Sequence, residues 1–280
     1  MHSVISDGSD TPEEIVQHVR EAGIRLFSVT DHDAIKAASI IPELIAGGEL
    51  RFLPGVEFSC KDEQGAYHIL GYGYDPNGAS VNEIVELGHS YRMNKFTARL
   101  QLLKTEFGIE FPEEDVQRLL TLDNPGKPHI ANLMVKYGYA ESIPQAMKTT
   151  LNRLSYRASY VKPEEAIAGI LDSGGIPVLA HPSFGSGDQL ILGDEMDQRL
   201  KRLIGYGLQG VEGFYSGFNK RLRDEILSFA EKYGLYVTAG SDYHGTHKIV
   251  LLGDTGLTGE EEIPEGMARF LADTAERLYS

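Results

Sequence analysis

Cysteine, tryptophan and basic side chains are scarce in this chain. Its 280 residues include one cysteine, Cys60, and no tryptophan, so an internal disulfide cannot form, as is usual in a reducing cytosol. The 26 lysines and arginines are outnumbered by 41 acidic residues, and the net charge of −15 repels long polyanions. An apolar run of membrane-spanning length and a signal-peptide pattern are also lacking. These absences predict a soluble, cytoplasmic protein with neither a membrane nor a long nucleic acid as partner.

Two kinds of periodicity divide the chain. Residues 12–78 alternate helical patterns with short apolar runs typical of strands, and this alternation resumes at residue 162. Between them, residues 79–161 show helical periodicity with almost no strand-like run. We therefore predict an α/β fold with a mostly parallel sheet or barrel. Its predicted parts are residues 1–78, a helical insertion subdomain at 79–161, and residues 162–280.

Histidines and carboxylates recur close to the strand-like runs and in the opening loop. The residues with this placement are His2, Asp7, His32, Glu57, His68, His181, Asp242 and His244. Loops that follow parallel strands open on one face of such a fold, so we expect these side chains to converge there. His68 lies inside its strand, so a hydrogen-bonded core position is the alternative to a ligand there. Imidazole and carboxylate together suit divalent manganese, zinc or iron, and eight such groups exceed the needs of one ion.

Four short motifs occur in a fixed order along the chain. They are residues 2–8 (HSVISDG), 30–33 (TDHD), 54–57 (PGVE), and 180–182 (AHP) with 241–244 (SDYH). In this order the motifs resemble the polymerase and histidinol phosphatase (PHP) superfamily of metal-dependent phosphoesterases. The resemblance implies a distorted seven-stranded (β/α) barrel with a helical cap. Within the superfamily, the chain is most similar to bacterial enzymes that hydrolyse nucleoside 3′,5′-bisphosphates, nucleoside monophosphates or short RNA from the 5′ end.

The resemblance also implies how the donor groups would be shared among three ions. One ion would take His2, Glu57 and Asp242, a second Glu57, His68 and His181, and a third Asp7, His32 and His244. A hydroxide that bridges the ions would attack phosphorus in line, since cations make hydroxide available near neutral pH. Asp31 and Asp33 are the candidate catalytic residues, because either carboxylate would orient a ligand or move a proton.

The first motif departs from the family pattern. That pattern is His-x-His after a short strand, and Met1 takes the x position here, so the first His and the first strand are missing. We expect either that the natural chain starts several residues earlier or that the first ion is bound weakly. The expected cofactors are two to three divalent ions (manganese, zinc or iron), with the first site weakened.

Polar residues of the insertion are candidates for binding the part of the substrate that lies away from the metals. They are Arg92, Asn94, Lys127, His129, Arg157 and Tyr160. Guanidinium groups bind phosphate in bidentate fashion, and a helix N-terminus at Lys127 would add free amides. Met93 and Phe96 stand where the nucleotide-hydrolysing relatives tend to be basic, which leaves the substrate open.

The resulting hypothesis is a metal-dependent phosphoesterase for a small phosphorylated substrate, a nucleotide or a short single-stranded RNA. One alternative is a histidinol-phosphate-type phosphatase. The insertion disfavours it, and so does Asp7, because enzymes that this alternative resembles have a His at that position. The other is a non-catalytic PHP module, which is favoured only by the missing first His.

Overall fold

Seven short strands form two sheets in this computed structural model, which describes residues 1–186, 189–259 and 262–280. The first sheet is a parallel pair, β1 (Leu26–Phe27) and β2 (Arg51–Phe52). The second has five strands in chain order: β3 (Gly55–Asp62), β4 (Gly65–Tyr72), β5 (Ile176–Leu179), β6 (Gly210–Tyr215) and β7 (Tyr236–Gly240). The predicted α/β class is confirmed.

The described α-helices surround the sheets and form the insertion. They are α1 (Pro12–Glu21), α2 (Ala37–Ile45), α3 (Ala79–Phe107), α4 (Glu113–Leu120), α5 (Lys127–Lys136), α6 (Ile143–Thr149), α7 (Pro163–Asp172), α8 (Gly193–Gly205), α9 (Lys220–Tyr233) and α10 (Glu265–Thr274). Helix α1 shows how local sequence sets a boundary, because Thr11 accepts the Glu14 N–H, the Glu14 carboxylate accepts the Thr11 N–H, and Pro12 occupies the first turn. In the described residues, no helix combines the length and apolar character needed to cross a membrane.

The insertion has an apolar cluster of its own. Phe96 and Leu103 of α3 pack with Ile130 and Met134 of α5 and with Leu151, all nearly or fully buried. A larger cluster lies between the five-stranded sheet and helices α7, α8 and α9. The division of the chain at residues 79 and 161 stays a prediction that this separation of clusters favours.

Strand direction differs from the mostly parallel arrangement that the sequence predicted. Strands β3, β4 and β5 are antiparallel, whereas β5, β6 and β7 are parallel. The reason is a hairpin between β3 and β4, in which Asp62 Oδ1 accepts the N–H groups of Gln64 and Gly65 and closes the turn. The closed seven-stranded barrel and the missing first strand stay predictions, because the described strands form sheets of five and two.

Candidate metal centre

Side-chain donors from distant parts of the chain meet near the ends of the strands. Three groups have ligand atoms within 4.8 Å of one another: His2, Asp7, His32 and His244; His32, Glu57 and His68; and His2, Glu57 and Asp242. Most of these side chains are buried. The structure thus brings together seven of the eight predicted metal ligands in these groups.

The eighth predicted ligand, His181, completes a triangle with Glu57 and His68. His181 Nε2 lies 3.3 Å from Glu57 Oε1 and 3.2 Å from His68 Nδ1, and His68 Nδ1 lies 2.7 Å from Glu57 Oε1. The triangle matches the second predicted ligand set. His32 also lies close to this set, although the prediction placed it only with Asp7 and His244. The assignment of each residue to an ion stays a prediction.

Glu57 occupies the centre of the cluster. It lies on β3 and is 3 % exposed, and its Oε2 is 3.0 Å from His2 Nε2 while its Oε1 faces His68 and His181. Burial disfavours its negative charge, but the surrounding histidines outweigh burial and hold the pKa of Glu57 well below its usual range. A carboxylate with one oxygen toward each of two donor groups is suited to bridge two cations.

The opening loop is held in place by Asp31. Its Oδ1 accepts the Ser3 N–H at 2.7 Å and the Ser6 hydroxyl at 2.6 Å, and its Oδ2 accepts the Ser3 hydroxyl at 2.7 Å. Gly8 closes the loop where a Cβ atom would lie 2.2 Å from the His2 carbonyl oxygen. These contacts fix the two donors of the loop, His2 and Asp7.

His244 is oriented by the backbone. Its Nδ1 donates to the Asp242 carbonyl oxygen at 2.8 Å, so the lone pair is on Nε2, which lies 3.3 Å from Asp7 Oδ1. A hydrogen bond from the second ring nitrogen is the usual way in which proteins orient a metal-binding histidine.

Backbone conformations at the cluster are unusual. In the described residues, the non-glycine residues with positive φ are Asp33 (50°), His181 (27°) and Asp242 (55°). Such conformations cost energy in an L-residue and persist only where surrounding contacts enforce them. Two of the three are donors of the cluster, so its geometry is imposed by the fold.

The donor set fits divalent cations. Several buried polar atoms form no hydrogen bond within the described residues: His2 Nδ1, His2 Nε2, Asp7 Oδ1, His32 Nδ1 and His181 Nδ1. Buried polar atoms are normally hydrogen-bonded, so a cluster of nitrogen and oxygen atoms without hydrogen bonds fits a group that accepts lone pairs. Burial opposes a charge on His2, but the Asp242 and Glu57 carboxylates outweigh it and raise the pKa of His2 to about 9. Bound cations would replace that proton.

Asp31 and Asp33, the candidate catalytic residues, are both engaged elsewhere. Asp31 binds the opening loop, as described above. Asp33 accepts the Ser59 N–H at 3.1 Å and the Arg92 guanidinium at 2.9 and 3.0 Å. The geometry favours a positioning role for both, and their part in proton transfer stays a prediction.

The candidate substrate residues lie in different environments. Arg92 is buried and binds Asp33 and the Ser59 hydroxyl, whereas Asn94 and Arg157 are exposed. Lys127 donates to Asn152 at 2.7 Å.

Two other candidates lie at contacts of the insertion. His129 is at the start of α5, where its Nδ1 accepts the Gly126 N–H at 3.0 Å and burial lowers its pKa to about 4. Gly126 lies directly against Asp7, since a Cβ atom there would be 2.9 Å from Asp7 Oδ2. The N-terminus of α5 therefore borders the donor cluster. Tyr160 faces Lys95, whose ammonium lies 3.9 Å from the ring centroid.

Lys95 and Arg99 are cations that the sequence analysis did not select. With Arg92 they occupy one face of α3, and all three are at most 9 % exposed. Arg99 lies over Tyr156, and its Nε forms no hydrogen bond within the described residues. Burial lowers the pKa of Lys95 to about 7. Lys95 and Arg99 follow Arg92 by three and seven positions, and this spacing indicates that the three cations share one helix face.

Three further side chains at the donor cluster also escaped the sequence analysis. Lys248 Nζ lies 2.6 Å from Asp242 Oδ2, which also accepts the Tyr215 hydroxyl at 3.2 Å. Glu212 is 4 % exposed and lines a cavity of about 500 Å³ together with His2, Glu57 and Asp242. Glu212 is a single acidic residue within a strand, and the sequence around it does not indicate that it lies beside the donor cluster.

Comparisons with known proteins agree with the motifs and the fold, although no family model matches the chain. The chain is 29 % identical to a phosphoribosyl 1,2-cyclic phosphate 1,2-diphosphodiesterase of Eggerthella lenta, covering 88 % of this chain and 92 % of that protein. It is 28 % identical to a 3′,5′-nucleoside bisphosphate phosphatase of Chromobacterium violaceum, covering 87 % and 85 %. It is 29 % identical to the 5′-3′ exoribonuclease Rnm of Escherichia coli, covering 87 % and 83 %.

Solved structures extend the likeness to the fold. A Bifidobacterium adolescentis protein, provisionally named a metal-dependent phosphoesterase, matches with a TM-score of 0.83 at 27 % identity, covering 97 % of this chain and 93 % of its own. An amidohydrolase of Chromobacterium violaceum, at 23 % identity and a TM-score of 0.81 over 99 % and 95 % of the two chains, shares the fold. Motifs, fold and relatives together show that the chain is similar to PHP-type metal-dependent phosphoesterases, and they identify it as a hydrolase of phosphoric ester bonds.

Proposed function

We propose that this chain hydrolyses a phosphate ester on the ribose of a small nucleotide. The substrate class is a nucleoside monophosphate, a nucleoside 3′,5′-bisphosphate or a short oligoribonucleotide. The names of the three sequence relatives support it, since each describes a phosphate ester of a ribose unit. The observation that carries the proposal is the convergence of three nitrogen and oxygen donor groups in one buried cluster with unpaired atoms.

The donor residues would act by holding cations beside the scissile phosphate. There are three proposed ligand sets: His2, Glu57 and Asp242; Glu57, His68 and His181; and Asp7, His32 and His244. Bound divalent ions would supply a water of lowered pKa as nucleophile and would neutralise phosphate charge. The shared carboxylate of Glu57 would keep two of the sets at a constant distance, and the hydrogen bond from His244 to the Asp242 carbonyl would keep its Nε2 aimed at the cluster.

The insertion would bind the rest of the substrate. Arg92 reaches Ser59, the register partner of His68 on the neighbouring strand, so the row of cations on α3 starts beside the donor cluster. Lys95 and Arg99 follow along α3, and Arg99 lies about 10 Å from Arg92 along the helix axis, at 1.5 Å per residue. The aromatic rings of Tyr156 and Tyr160 lie against these two cations and would form the wall for a base or sugar.

A metal and substrate panel tests the proposal. The purified protein is analysed for bound metal and then assayed for phosphate release from AMP, adenosine 3′,5′-bisphosphate, a phosphoribosyl 1,2-cyclic phosphate and histidinol phosphate. We expect bound manganese, zinc or iron, loss of activity on chelation, and preference for a ribose phosphate over histidinol phosphate.

Each contrary outcome has a definite meaning. Preference for histidinol phosphate would replace the proposed substrate class by the histidinol-phosphate-type alternative. Less than one metal per chain, with no phosphate release after metal is supplied, would favour a non-catalytic module and would refute the proposal for this chain.

A further inference from the structure

Glu212 is a buried carboxylate that neither the proposed ligand sets nor the cation row includes. It lies on β6, between β5 and β7 in the sheet, and is 4 % exposed. The register of β6 against β7 shifts between Glu212 and Phe214. Irregular strand positions of this kind re-aim side chains and are frequent beside active sites.

The Glu212 carboxylate binds the backbone of His181. The last register pair between β5 and β6 is Leu179 with Val211, and beyond it β5 has no further register pair with β6. Glu212 Oε2 accepts the His181 N–H at 2.7 Å, so a side chain takes over at the point where the backbone ladder ends. His181 has a φ of 27° at this point, a conformation that needs support in a non-glycine residue.

The neighbouring strand leaves room for this carboxylate. A Cβ atom at Gly240 on β7 would lie 2.0 Å from Glu212 Oε1, which is closer than any real contact, so a side chain there would displace the carboxylate. Gly240 does not have the positive φ that often requires glycine, so space is the reason for its small size. The position of Glu212 is therefore built by two strands.

We propose that Glu212 is a positioning residue that fixes the His181 backbone, so that the His181 imidazole meets Glu57 and His68. The consequence is geometric: His181 Nε2 lies within 3.3 Å of both Glu57 Oε1 and His68 Nδ1. Without the acceptor, the His181 N–H is buried and unpaired, and its backbone relaxes toward ordinary φ values, which turns the ring away. This inference rests on the proposed metal-binding role of His181.

Cobalt titration of the purified protein tests the inference. The titration follows the visible absorption of Co²⁺, which reports ligand geometry, and yields its affinity by competition with a chelator. We expect Glu212→Ala to weaken the affinity about 10–100-fold, as changes in residues that orient metal ligands do, and to alter the absorption spectrum. Glu212→Gln retains an acceptor oxygen of the same reach and is expected to keep the wild-type affinity and spectrum.

Two further variants serve as a second route and a control. Gly240→Ala displaces the carboxylate without changing Glu212 and should reproduce the loss, which keeps the test valid if Glu212→Ala fails to fold. Thr238→Val alters a buried neighbour that lines the same cavity and is in register with Glu212. We expect it to leave Co²⁺ affinity unchanged.

The outcomes separate this inference from the proposed function. If the wild-type protein binds no Co²⁺, the proposed metal role fails. If the wild type binds it and a folded Glu212→Ala protein binds equally well with the same spectrum, the positioning role is wrong. A Gln variant as weak as the Ala variant would show that the negative charge is needed, which also overturns the role stated here.

Discussion

The donor cluster and the helical insertion use buried charge in opposite ways. The cluster combines imidazoles with three carboxylates, and several of its polar atoms form no hydrogen bond within the described residues. The insertion instead buries Arg92, Lys95 and Arg99 on one helix face, and within the described part of the chain only Arg92 has a carboxylate partner. The donor cluster is therefore suited to bind cations, and the buried cations of the insertion are suited to bind anions. A phosphorylated substrate with bound cations would complete both.

Polar contacts at Asp33 and at His247 join the two regions. Asp33 binds Arg92 of α3, and its carbonyl accepts the Asn124 side chain at 3.1 Å. His247 lies between Asn132 of α5, at 2.9 Å, and the Asp7 carbonyl, at 2.8 Å. The following predictions therefore change one region at a time, at Glu57, Asp31 and Lys95.

Replacing the central carboxylate should disable the cluster and leave the insertion intact. Glu57→Gln removes the charge that faces His2, His68 and His181, so we expect metal binding by two of the proposed ligand sets to be lost. Activity should fall by more than about 100-fold, beyond the effect of changing a residue that only orients a ligand. Metal content and phosphate release measure the effect, with the exposed Glu43→Gln on α2 as control. Normal metal content in a folded Glu57→Gln protein would contradict the assignment.

Asp31 distinguishes positioning from proton transfer within the same region. Asp31→Ala removes three hydrogen bonds from the opening loop, and we expect a loss of about 10–100-fold in metal affinity through the displacement of His2 and Asp7. Asp31→Asn should recover most of it, because the Ser3 and Ser6 hydroxyls can rotate to suit an amide. Metal titration and kcat are measured for both variants. If the Asn variant binds metal normally but is as inactive as the Ala variant, the carboxylate moves a proton after all.

The smallest effect is expected on the insertion side, at Lys95. Removing a charge-assisted contact of about 1.5 kcal/mol should raise KM for adenosine 3′,5′-bisphosphate roughly tenfold in Lys95→Met and affect AMP less. The matched control is Lys104→Met, an exposed lysine of the same helix. Equal KM changes for both substrates would argue against binding of a second phosphate.

The same variant should stabilise the substrate-free protein in a pH-dependent way. Burial lowers the pKa of Lys95 from 10.5 to about 7, so the folded state binds this proton more weakly than the unfolded state. In the wild-type protein, the loss of stability caused by burying the protonated Lys95 is complete below about pH 7 and disappears as the pH rises toward 10.5. Thermal unfolding should therefore show the largest gain in Tm for Lys95→Met near pH 7 and a shrinking gain at higher pH. A gain that does not change with pH would contradict the buried charge.

Helices were well predicted because their signals are local. The capping residues Thr11, Pro12 and Glu14 of α1 are neighbours in the sequence, and the helical periodicity predicted for residues 79–161 covers α3 and α5. Strand direction was not well predicted, because a parallel crossover and a tight hairpin can both follow an apolar run. The hairpin between β3 and β4 depends on Asp62 closing one turn.

For this protein, sequence alone determined the chemical character of the candidate site, because eight imidazole and carboxylate groups that recur beside strands are donors suited to divalent cations. Tertiary structure decided which groups meet and which support the others. Asp31 and Asp242 follow strand-like runs in the same manner, yet one holds a loop and the other joins the donor cluster. Glu212 resembles any strand residue until the sheet places it beside His181. The physical reason is that donor geometry depends on distances across the fold, which the pattern of neighbouring residues along the chain does not contain.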